Sequence, residues 1–315
     1  MHTTYLPHVY FAGAIRPIEE AKISITTNAL QYGAAVFAGI RGYLDQDGST
    51  INIFRLPDHF RRFSQSAALI KIGLPLDVAG LSALAVELTR RNAPTSNVYF
   101  RPFAYKAGLD LGPTLGGVDD GFAVYMLPLG DYYSAEDGLS VMVSSWQRVS
   151  DGAIPARGKI SGSYINSAIA KDEAQTYGFD DAILLNNQGK VSEGSACNIM
   201  LVRNGALITP PVTADILEGI TRRSILQLAG DLQIPVQERE VDRSELYLAE
   251  EIFFCGTGVQ VTPVTRVDKR PIGDGRPGPI SLRLQTRFFD IVQGRAPEYG
   301  HWLTRVPIQA RVAIA

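Results

Sequence analysis

The chain has 315 residues, 45% of them apolar and 20% charged, a composition typical of packed globular proteins and unlike that of disordered chains. Its formal net charge of −2 arises from intermixed acidic and basic residues, so we predict neither a nucleic-acid-binding face nor a polybasic membrane patch. With two cysteines and four scattered histidines, the sequence predicts no disulfide framework and no metal site.

The sequence carries no pattern typical of export or membrane insertion. Residues 1–8 lack a basic start followed by an apolar core, and no apolar run reaches about 18 residues. We therefore expect neither a signal peptide nor a membrane span, and a cytoplasmic location. The length suits two domains, and the mixed charges favour small molecules as partners.

The N-terminal part of the chain alternates short strands with helices. The predicted strands lie at 9–16 (a hairpin), 22–25, 35–43 and 50–54, and the predicted helices at 28–33, 58–69 and 78–91. Gly33 ends the first helix, and Pro57 opens the second, which contains Arg61 and Arg62. Arginines in such a helix are ordinarily solvated, and aromatic residues such as Tyr32 and Phe37 usually enter a core.

A strand predicted over 97–105 contains the first candidate binding group. The two-residue period of a strand places Tyr99, Arg101 and Phe103 on one face. A guanidinium between aromatic side chains is costly to bury without an anion, so Arg101 is a candidate for binding a carboxylate. The alternative is an edge arginine that lies over its neighbours.

The polar stretch 130–138 interrupts the pattern after a strand at 122–127, and we predict the domain boundary there. The expected parts are a smaller N-terminal domain at 1–130, a loop at 131–138 and a larger strand-rich domain at 139–315. The second half predicts strands at 139–146, 181–185, 197–202 and 251–255, and helices at 163–178, 222–232 and 280–293. Cys197 and Cys255 lie in apolar strand-like runs, where a buried, inert thiol is expected.

Lys159 lies in a loop between Gly158 and Gly162, with Tyr164 five residues later and Glu193 thirty-four residues later. The glycines leave little bulk around the lysine, so a planar ligand could approach its amine, as a Schiff-base lysine requires. An isolated loop lysine is usually only solvated. Pyridoxal phosphate, however, needs an amine for its aldehyde, a hydroxyl near its ring oxygen and an acid opposite its ring nitrogen. Lys159, Tyr164 and Glu193 can fill these three roles.

Two glycine-containing segments are candidates for a phosphate cradle. Gly219-Ile220-Thr221 stands at the start of a predicted helix, where free N–H groups and the helix dipole favour an anion. Thr221 as a simple helix cap is the alternative. Gly256-Thr257 follows a predicted strand and offers a hydroxyl and exposed amides.

Taken in order, four motifs resemble the fold-type IV pyridoxal-phosphate enzymes. The motifs are Lys159-x-x-Gly162-x-Tyr164, Ser192-Glu193-Gly194-x-x-x-Asn198, Gly219-Ile220-Thr221 and Gly256-Thr257. The resemblance is strongest to the branched-chain amino acid aminotransferases of this group and extends from about residue 10 to residue 302. It implies an α+β, two-domain architecture with the cofactor in the interdomain cleft. It also implies transamination between L-leucine, L-isoleucine or L-valine and 2-oxoglutarate.

The resemblance assigns roles to individual residues. Lys159 holds pyridoxal 5'-phosphate and moves the α-proton, Glu193 keeps the ring nitrogen protonated, and Tyr164 bonds the ring oxygen. The implied phosphate-binding residues are Arg62, Ile220, Thr221 and Thr257, and the implied substrate-binding residues are Tyr32, Phe37, Tyr99, Arg101, Tyr132, Gly258 and Val259. Ala38 and Leu129 depart from the acidic residue and the tryptophan usual in relatives, which implies an altered pocket wall.

Relatives of this kind are dimers or larger homo-oligomers, so the resemblance implies a homodimer or higher assembly. Three other functions stay open. An aminodeoxychorismate lyase of the same fold shares the lysine and the glutamate, and a D-amino acid or (R)-amine transaminase shares the cofactor site. The Tyr99-x-Arg101-Pro102 motif argues against both. A non-catalytic binding module would have no reason to keep the complete lysine, tyrosine and glutamate set.

Overall fold

The computed structural model describes residues 5–130 and 138–308. The helices are α1 (Asn28–Tyr32), α2 (Leu56–Leu69), α3 (Val78–Asn92), α4 (Tyr164–Thr176), α5 (Ile220–Asp231), α6 (Arg243–Leu246) and α7 (Pro279–Val292). The strands are β1 (His8–Phe11), β2 (Ala14–Pro17), β3 (Ala35–Phe37), β4 (Ile40–Leu44), β5 (Thr50–Phe54), β6 (Val98–Lys106), β7 (Asp120–Pro128), β8 (Leu139–Gln147), β9 (Asp181–Leu185), β10 (Val191–Gly194), β11 (Asn198–Arg203), β12 (Ala206–Thr209), β13 (Val236–Glu238), β14 (Glu251–Gly256), β15 (Gln260–Val267), β16 (Arg270–Pro271) and β17 (Leu303–Pro307). This mixture of helices and two sheets is the predicted α+β class. None of the helices in the described residues has the length and apolar character needed to cross a bilayer.

The chain divides into two compact units. Unit 1 comprises residues 1–130, 158–162 and 290–315, and unit 2 comprises 131–157 and 163–289. The C-terminal strand β17 pairs with β5, so it belongs to unit 1, whereas the boundaries drawn from the sequence place it in the second domain. A short segment around Lys159 also belongs to unit 1, although the chain on both sides of it belongs to unit 2.

Unit 1 is built on an antiparallel sheet in the order β17-β5-β4-β6-β7-β1-β2, with β3 paired to β6. Strand β6 alternates buried and half-buried residues, and Tyr99, Arg101 and Phe103 share its half-buried face, as the two-residue period predicts. Helix α2 buries an apolar stripe that includes Phe60 and Phe63, and Pro57 lies in its first turn.

Two strand predictions in this unit are wrong. Residues 22–25 form no strand because the segment turns: Thr27 donates from its hydroxyl to the carbonyl of Ser24 at 2.7 Å. Serine and threonine side chains compete in this way with a sheet for backbone hydrogen bonds. The strand predicted over 35–43 is split into β3 and β4, with Gly39 in the break. A Cβ on Gly39 would lie 1.8 Å from the Tyr99 hydroxyl oxygen, so only glycine permits this approach of Tyr99.

Unit 2 contains a mixed sheet in the order β10-β9-β8-β15-β14-β11-β12-β13, with β16 paired to β15. Strand β8 runs parallel to both β9 and β15, and α4 forms the crossover from β8 to β9. Glu173 of α4 anchors this helix to β8, because it accepts hydrogen bonds from the Ser144 hydroxyl at 2.5 Å and the Ser145 amide at 3.0 Å. One core cluster of buried aliphatic and aromatic side chains joins the strands, among them Val141, Ile199 and Phe254.

Helix α7 is anchored to the same sheet by a buried carboxylate. Glu251, the first residue of β14, accepts hydrogen bonds from the amides of Ile280 at 2.9 Å and Ser281 at 2.7 Å. A negative group at a helix N-terminus binds otherwise unsatisfied N–H groups and interacts favourably with the helix dipole. Glu251 therefore fixes the start of α7 relative to the strand that leads to Thr257.

Candidate active site

The backbone of Lys159 is fixed on two sides within unit 1. Its amide donates to the Ser66 hydroxyl at 3.1 Å, and its carbonyl accepts from the Phe37 amide at 3.1 Å. The next residue, Ile160, forms an antiparallel bridge with Val36 of β3. The half-buried side chain extends over Phe37, with Nζ 4.9 Å from the ring centroid. The amine is thus presented from a backbone with little freedom to move.

The glycines beside Lys159 lie close to neighbouring parts of unit 1. Gly158 is buried, and a Cβ there would lie 3.0 Å from the Leu69 side chain of α2. A Cβ on Gly162 would lie 3.3 Å from the carbonyl oxygen of Gly33. The glycines therefore let the segment pack closely against its neighbours in unit 1, which helps to hold Lys159 in place.

Arg101 lies among aromatic rings beside this lysine segment. Its guanidinium carbon is 4.5 Å from the Phe37 ring centroid and 5.2 Å from that of Tyr99, and its Nη2 donates to the Tyr99 hydroxyl at 3.3 Å. Its Nε is buried and has no hydrogen-bond partner among the described residues. A half-buried cation held by rings and one hydroxyl can still bind an anion. Unit 1 thus brings Phe37, Tyr99, Arg101 and Lys159 together.

The two arginines of α2 have different surroundings. Arg61 is 57% exposed and pairs with Asp58 at 2.7 Å, so it is a solvated surface residue. Arg62 is half-buried, and its carbonyl accepts a hydrogen bond from the Ser66 hydroxyl at 2.9 Å. Of the two, Arg62 is the less exposed, and its role in phosphate binding stays a prediction.

Another predicted substrate residue, Tyr32, lies at the surface of unit 1. Tyr32 is 39% exposed, and its hydroxyl accepts from the Gly112 amide at 3.0 Å, so it holds the loop that follows β6. Tyr132 lies outside the described residues. Just before that stretch, the carbonyls of Leu129 and Gly130 both accept from Arg41 Nη2, and Arg41 is almost fully buried. Arg41 thus fixes the end of β7, a role that the sequence analysis missed.

Glu193 occupies the centre of a buried polar cluster in unit 2. Arg148 Nε lies 3.0 Å from its Oε1, while Asn198 Nδ2 and the Leu217 amide donate to its Oε2 at 3.0 and 3.2 Å. Glu193 is only 5% exposed, and positive and donor groups on both of its oxygens favour the ionised carboxylate. The site therefore offers a fixed negative charge away from bulk water.

The surrounding chain holds this cluster in shape. Asn198 Nδ2 also donates to the Leu217 carbonyl at 2.9 Å, and a Cβ on Gly219 would lie 2.0 Å from Asn198 Oδ1. The first turn of α4, which begins at Tyr164, is tied to the chain around Arg148 by Asn166, whose amide nitrogen donates to the Gln147 carbonyl at 2.9 Å. Arg148 and Leu217 are functional candidates that the sequence analysis missed, because one precedes Glu193 by 45 residues and the other acts through its backbone.

The N-terminus of α5 has free donor capacity. Gly219 is its N-cap in an extended conformation, and in the described residues no side chain accepts from the first turn. Ile220 and Thr221 are both buried and both lie inside the helix, so the alternative in which Thr221 caps it is wrong. Thr257, Gly258 and Val259 form the turn between β14 and β15 in the same unit. Each segment offers the amides or hydroxyls that a phosphate or carboxylate requires.

Burial sets the protonation state of the two cysteines. Both are free and buried. Burial raises the pKa of the Cys197 thiol well above its usual value and that of Cys255 to about 12. Both thiols are therefore protonated and unreactive near neutral pH, which confirms the expectation of buried, inert cysteines.

Comparison with known proteins identifies the same kind of enzyme throughout. The family described as amino-transferase class IV matches residues 36–267. A probable branched-chain-amino-acid aminotransferase of Synechocystis sp. is 43% identical over 305 residues, which cover 96% of this chain and 98% of the relative. The crystal structure of a branched-chain aminotransferase from Thermoproteus uzoniensis with norvaline matches at 38% identity and a TM-score of 0.91, and covers 96% and 99% of the two chains.

A further match is the crystal structure of the T.th. branched-chain amino acid aminotransferase complexed with N-(5'-phosphopyridoxyl)-L-glutamate. It has 38% identity and a TM-score of 0.90, and the match covers 95% of this chain and 98% of that chain. The similarity to these proteins extends over nearly the whole chain, including both units.

Proposed function

The chain belongs to the class IV aminotransferase family, and from this membership we propose how its residues transaminate branched-chain amino acids. The enzyme is a branched-chain-amino-acid transaminase that uses pyridoxal 5'-phosphate. The role of each residue, the amino-group acceptor and the assembly are our proposals.

The buried carboxylate of Glu193 is the observation that carries the assignment of roles. An ionised acid held by Arg148, Asn198 and the Leu217 amide suits a ring nitrogen that must stay protonated. The uncapped first turn of α5 suits a phosphate, because its N–H groups have no side-chain acceptor in the described part of the chain. The residues present thus fit the cofactor.

When bound, pyridoxal phosphate supplies an electron sink for the negative charge that develops at the substrate's Cα. Lys159 would hold the aldehyde carbon through Nζ and, once the substrate amine has replaced it, move the proton at Cα as a general base and acid. Its backbone is held by Ser66 and Phe37, and Nζ lies 4.9 Å from the Phe37 ring centroid. Tyr164 would donate to the ring oxygen, and Glu193 would keep the ring nitrogen charged.

Phosphate binding is proposed for residues that offer a cation, amides or hydroxyls. They are Arg62, Ile220, Thr221 and Thr257. Arg62 is half-buried and can form two parallel hydrogen bonds with phosphate oxygens, whereas Ile220 and Thr221 present the first amides of α5.

Substrate binding is proposed for Tyr32, Phe37, Tyr99, Arg101, Tyr132, Gly258 and Val259. A transaminase accepts two substrates in turn, so its pocket must suit an aliphatic side chain and then the charged side chain of glutamate. The rings of Phe37 and Tyr99 supply apolar surface, while Arg101 compensates a carboxylate that apolar walls would reject. We therefore infer that L-leucine, L-isoleucine and L-valine are the donors and 2-oxoglutarate the acceptor.

Turnover measurements test this assignment. The purified enzyme should convert L-leucine and 2-oxoglutarate to L-glutamate and should turn over D-alanine and (R)-phenylethylamine far more slowly. Faster turnover of either of these two would contradict the assignment. Borohydride should abolish the visible absorption of the holoenzyme and leave a label on Lys159, and a label on another lysine would refute the role of Lys159.

We further propose a homodimer or larger homo-oligomer. Unit 1 exposes several large apolar side chains, among them Ile25 at 83% and Leu111 at 88%, and contact with a second copy would remove them from water. Light scattering of the active enzyme tests this, because an active monomer would exclude it. A cytoplasmic location is also proposed, since free buried cysteines suit a reducing compartment, and cell fractionation tests it.

A further inference from the structure

Ser66 connects the backbone of Lys159 with that of Arg62. Its hydroxyl donates to the Arg62 carbonyl at 2.9 Å and accepts from the Lys159 amide at 3.1 Å. A serine hydroxyl can do both at once, because it has one hydrogen and two lone pairs. Ser66 is 1% exposed, so water cannot easily replace either bond.

The contacts around this serine show what it holds. On one side of the lysine segment, Phe37 donates to the Lys159 carbonyl and Val36 bridges Ile160, so β3 fixes the segment there. On the other side lies α2, which carries Arg62 and Ser66. The hydrogen bond from Lys159 to Ser66 fixes the lysine backbone against this helix, and Gly158 permits the close approach.

We propose that Ser66 is a positioning residue for transamination, which sets the spacing between the Lys159 amine and the Arg62 guanidinium. The inference rests on the proposed function, in which these two groups hold the aldehyde and the phosphate of one cofactor. Ser66 acts through the backbones of both residues, one turn of α2 from Arg62 and one hydrogen bond from Lys159. Catalytic groups need positioning to within about 0.5 Å, and a single fixed contact can decide that.

Two cofactor forms separate positioning from a general structural effect. Pyridoxal phosphate can form a covalent bond with Lys159, whereas pyridoxamine phosphate carries an amine in place of the aldehyde and cannot. Loss of the Ser66 hydroxyl leaves the Lys159 amide without this acceptor and removes the hydrogen bond between the segment and α2. Positioning therefore predicts a selective loss of affinity for pyridoxal phosphate, while a merely structural role predicts equal losses for both forms.

The experiment compares the dissociation constants of both forms for the apoenzymes of Ser66→Ala, Ser66→Thr and the wild type. Ser66→Ala should raise the dissociation constant of pyridoxal phosphate about tenfold and that of pyridoxamine phosphate less than about twofold. Ser66→Thr keeps the hydroxyl and should restore wild-type affinity to within about threefold. Thr89→Val is the matched control, because Thr89 is fully buried and makes the same bond to the carbonyl four residues earlier, Ala85, at 2.7 Å in α3. Thr89→Val should change neither of the two dissociation constants.

Three results would overturn the inference: equal losses for both forms in Ser66→Ala, no loss for either, or the selective loss in Thr89→Val as well. Thermal unfolding of each apoenzyme identifies a variant that is merely unfolded. Borohydride labelling of the wild type distinguishes a refuted role of Ser66 from a refuted proposed function. If Lys159 is labelled and Ser66→Ala behaves as wild type, only the proposed role of Ser66 is refuted. If Lys159 is not labelled, the proposed role of Lys159 and that of Ser66 are both refuted.

Discussion

Arg148 Nε lies 3.0 Å from the carboxylate of Glu193, and both side chains are less than one-tenth exposed. A buried charge without its counter-charge costs several kcal/mol, so neither side chain is independent of the other. The pair holds a negative charge where the cofactor's ring nitrogen is proposed to bind. The same pair contributes to the stability of unit 2, since either charge alone would be costly to bury.

Replacement of Arg148 should therefore destabilise the apoenzyme. We expect Arg148→Met to lower the free energy of unfolding by about 3 kcal/mol, because Glu193 loses this counter-charge and the amides of Asn198 and Leu217 are neutral donors. The double variant Arg148→Met/Glu193→Gln removes the buried charge as well and should recover at least half of that loss. Denaturant titration measures both and the single variant Glu193→Gln, and a double-variant loss equal to the sum of the two single losses would show that the residues are not coupled.

Arg101→Ala should impair the two half-reactions unequally. The glutamate and 2-oxoglutarate half-reaction should lose about tenfold or more in kcat/KM, equivalent to ~1.4 kcal/mol, because a side-chain carboxylate loses its cation. The leucine half-reaction should lose less. Arg61→Ala, which removes an exposed arginine on α2, is the control. Equal losses in single-turnover measurements would show that Arg101 is structural or serves the α-carboxylate common to both substrates.

Glu251 should contribute strongly to stability through α7. Glu251→Ala leaves the amides of Ile280 and Ser281 without their acceptor and should cost about 2 kcal/mol in the free energy of unfolding. The adjacent Glu250 accepts hydrogen bonds from Asn204 and Gly205 at the exposed surface, so Glu250→Ala should cost less than about 1 kcal/mol. A loss for Glu251→Ala no greater than that of the control would contradict this role.

Glu173 should make stability depend on pH in the acid range. Burial raises the pKa of Glu173, but hydrogen bonds from Ser144 and Ser145 outweigh it, so the pKa is lowered from 4.5. A pKa that is lower in the folded state contributes stability above the unfolded pKa, and this stability is lost as pH falls through the folded pKa. Glu173→Gln should thus be less stable than wild type at pH 7, with the difference shrinking below about pH 4.5. A difference that stays constant down to pH 3 would refute the role of ionisation.

The sequence points to candidate chemical residues more readily than to the residues that support them. Lys159, Tyr164 and Glu193 lie within one short stretch, so their spacing alone suggests a cofactor. The groups that hold them come from distant parts of the chain: Ser66 contacts Lys159 across 93 positions, and Arg148 contacts Glu193 across 45. No local pattern predicts such pairs, because they depend on how strands and helices pack.

The fold was predicted correctly where burial follows the sequence period, and incorrectly where local side-chain bonds or distant strand pairing decide the structure. Strand β6 was predicted correctly because its burial follows the two-residue period of its sequence. Residues 22–25 also alternate, but serine and threonine side chains satisfy their own backbone there, and the segment turns. The place of β17 could not be predicted either, since its partner β5 lies about 250 residues earlier in the chain.

The discontinuity of unit 1 has a consequence for synthesis on the ribosome. Domains in a growing chain generally fold from the N-terminus onward. Here the sheet of unit 1 lacks β17 until residue 307 has left the ribosome. The Lys159 segment, residues 158–162, also joins unit 1 late, after residues 131–157 of unit 2 have been made. All strands of unit 2 have left the ribosome before β17. The unit whose first strands are made earliest is therefore completed last, because its sheet gains β17 only after every strand of unit 2 has been made.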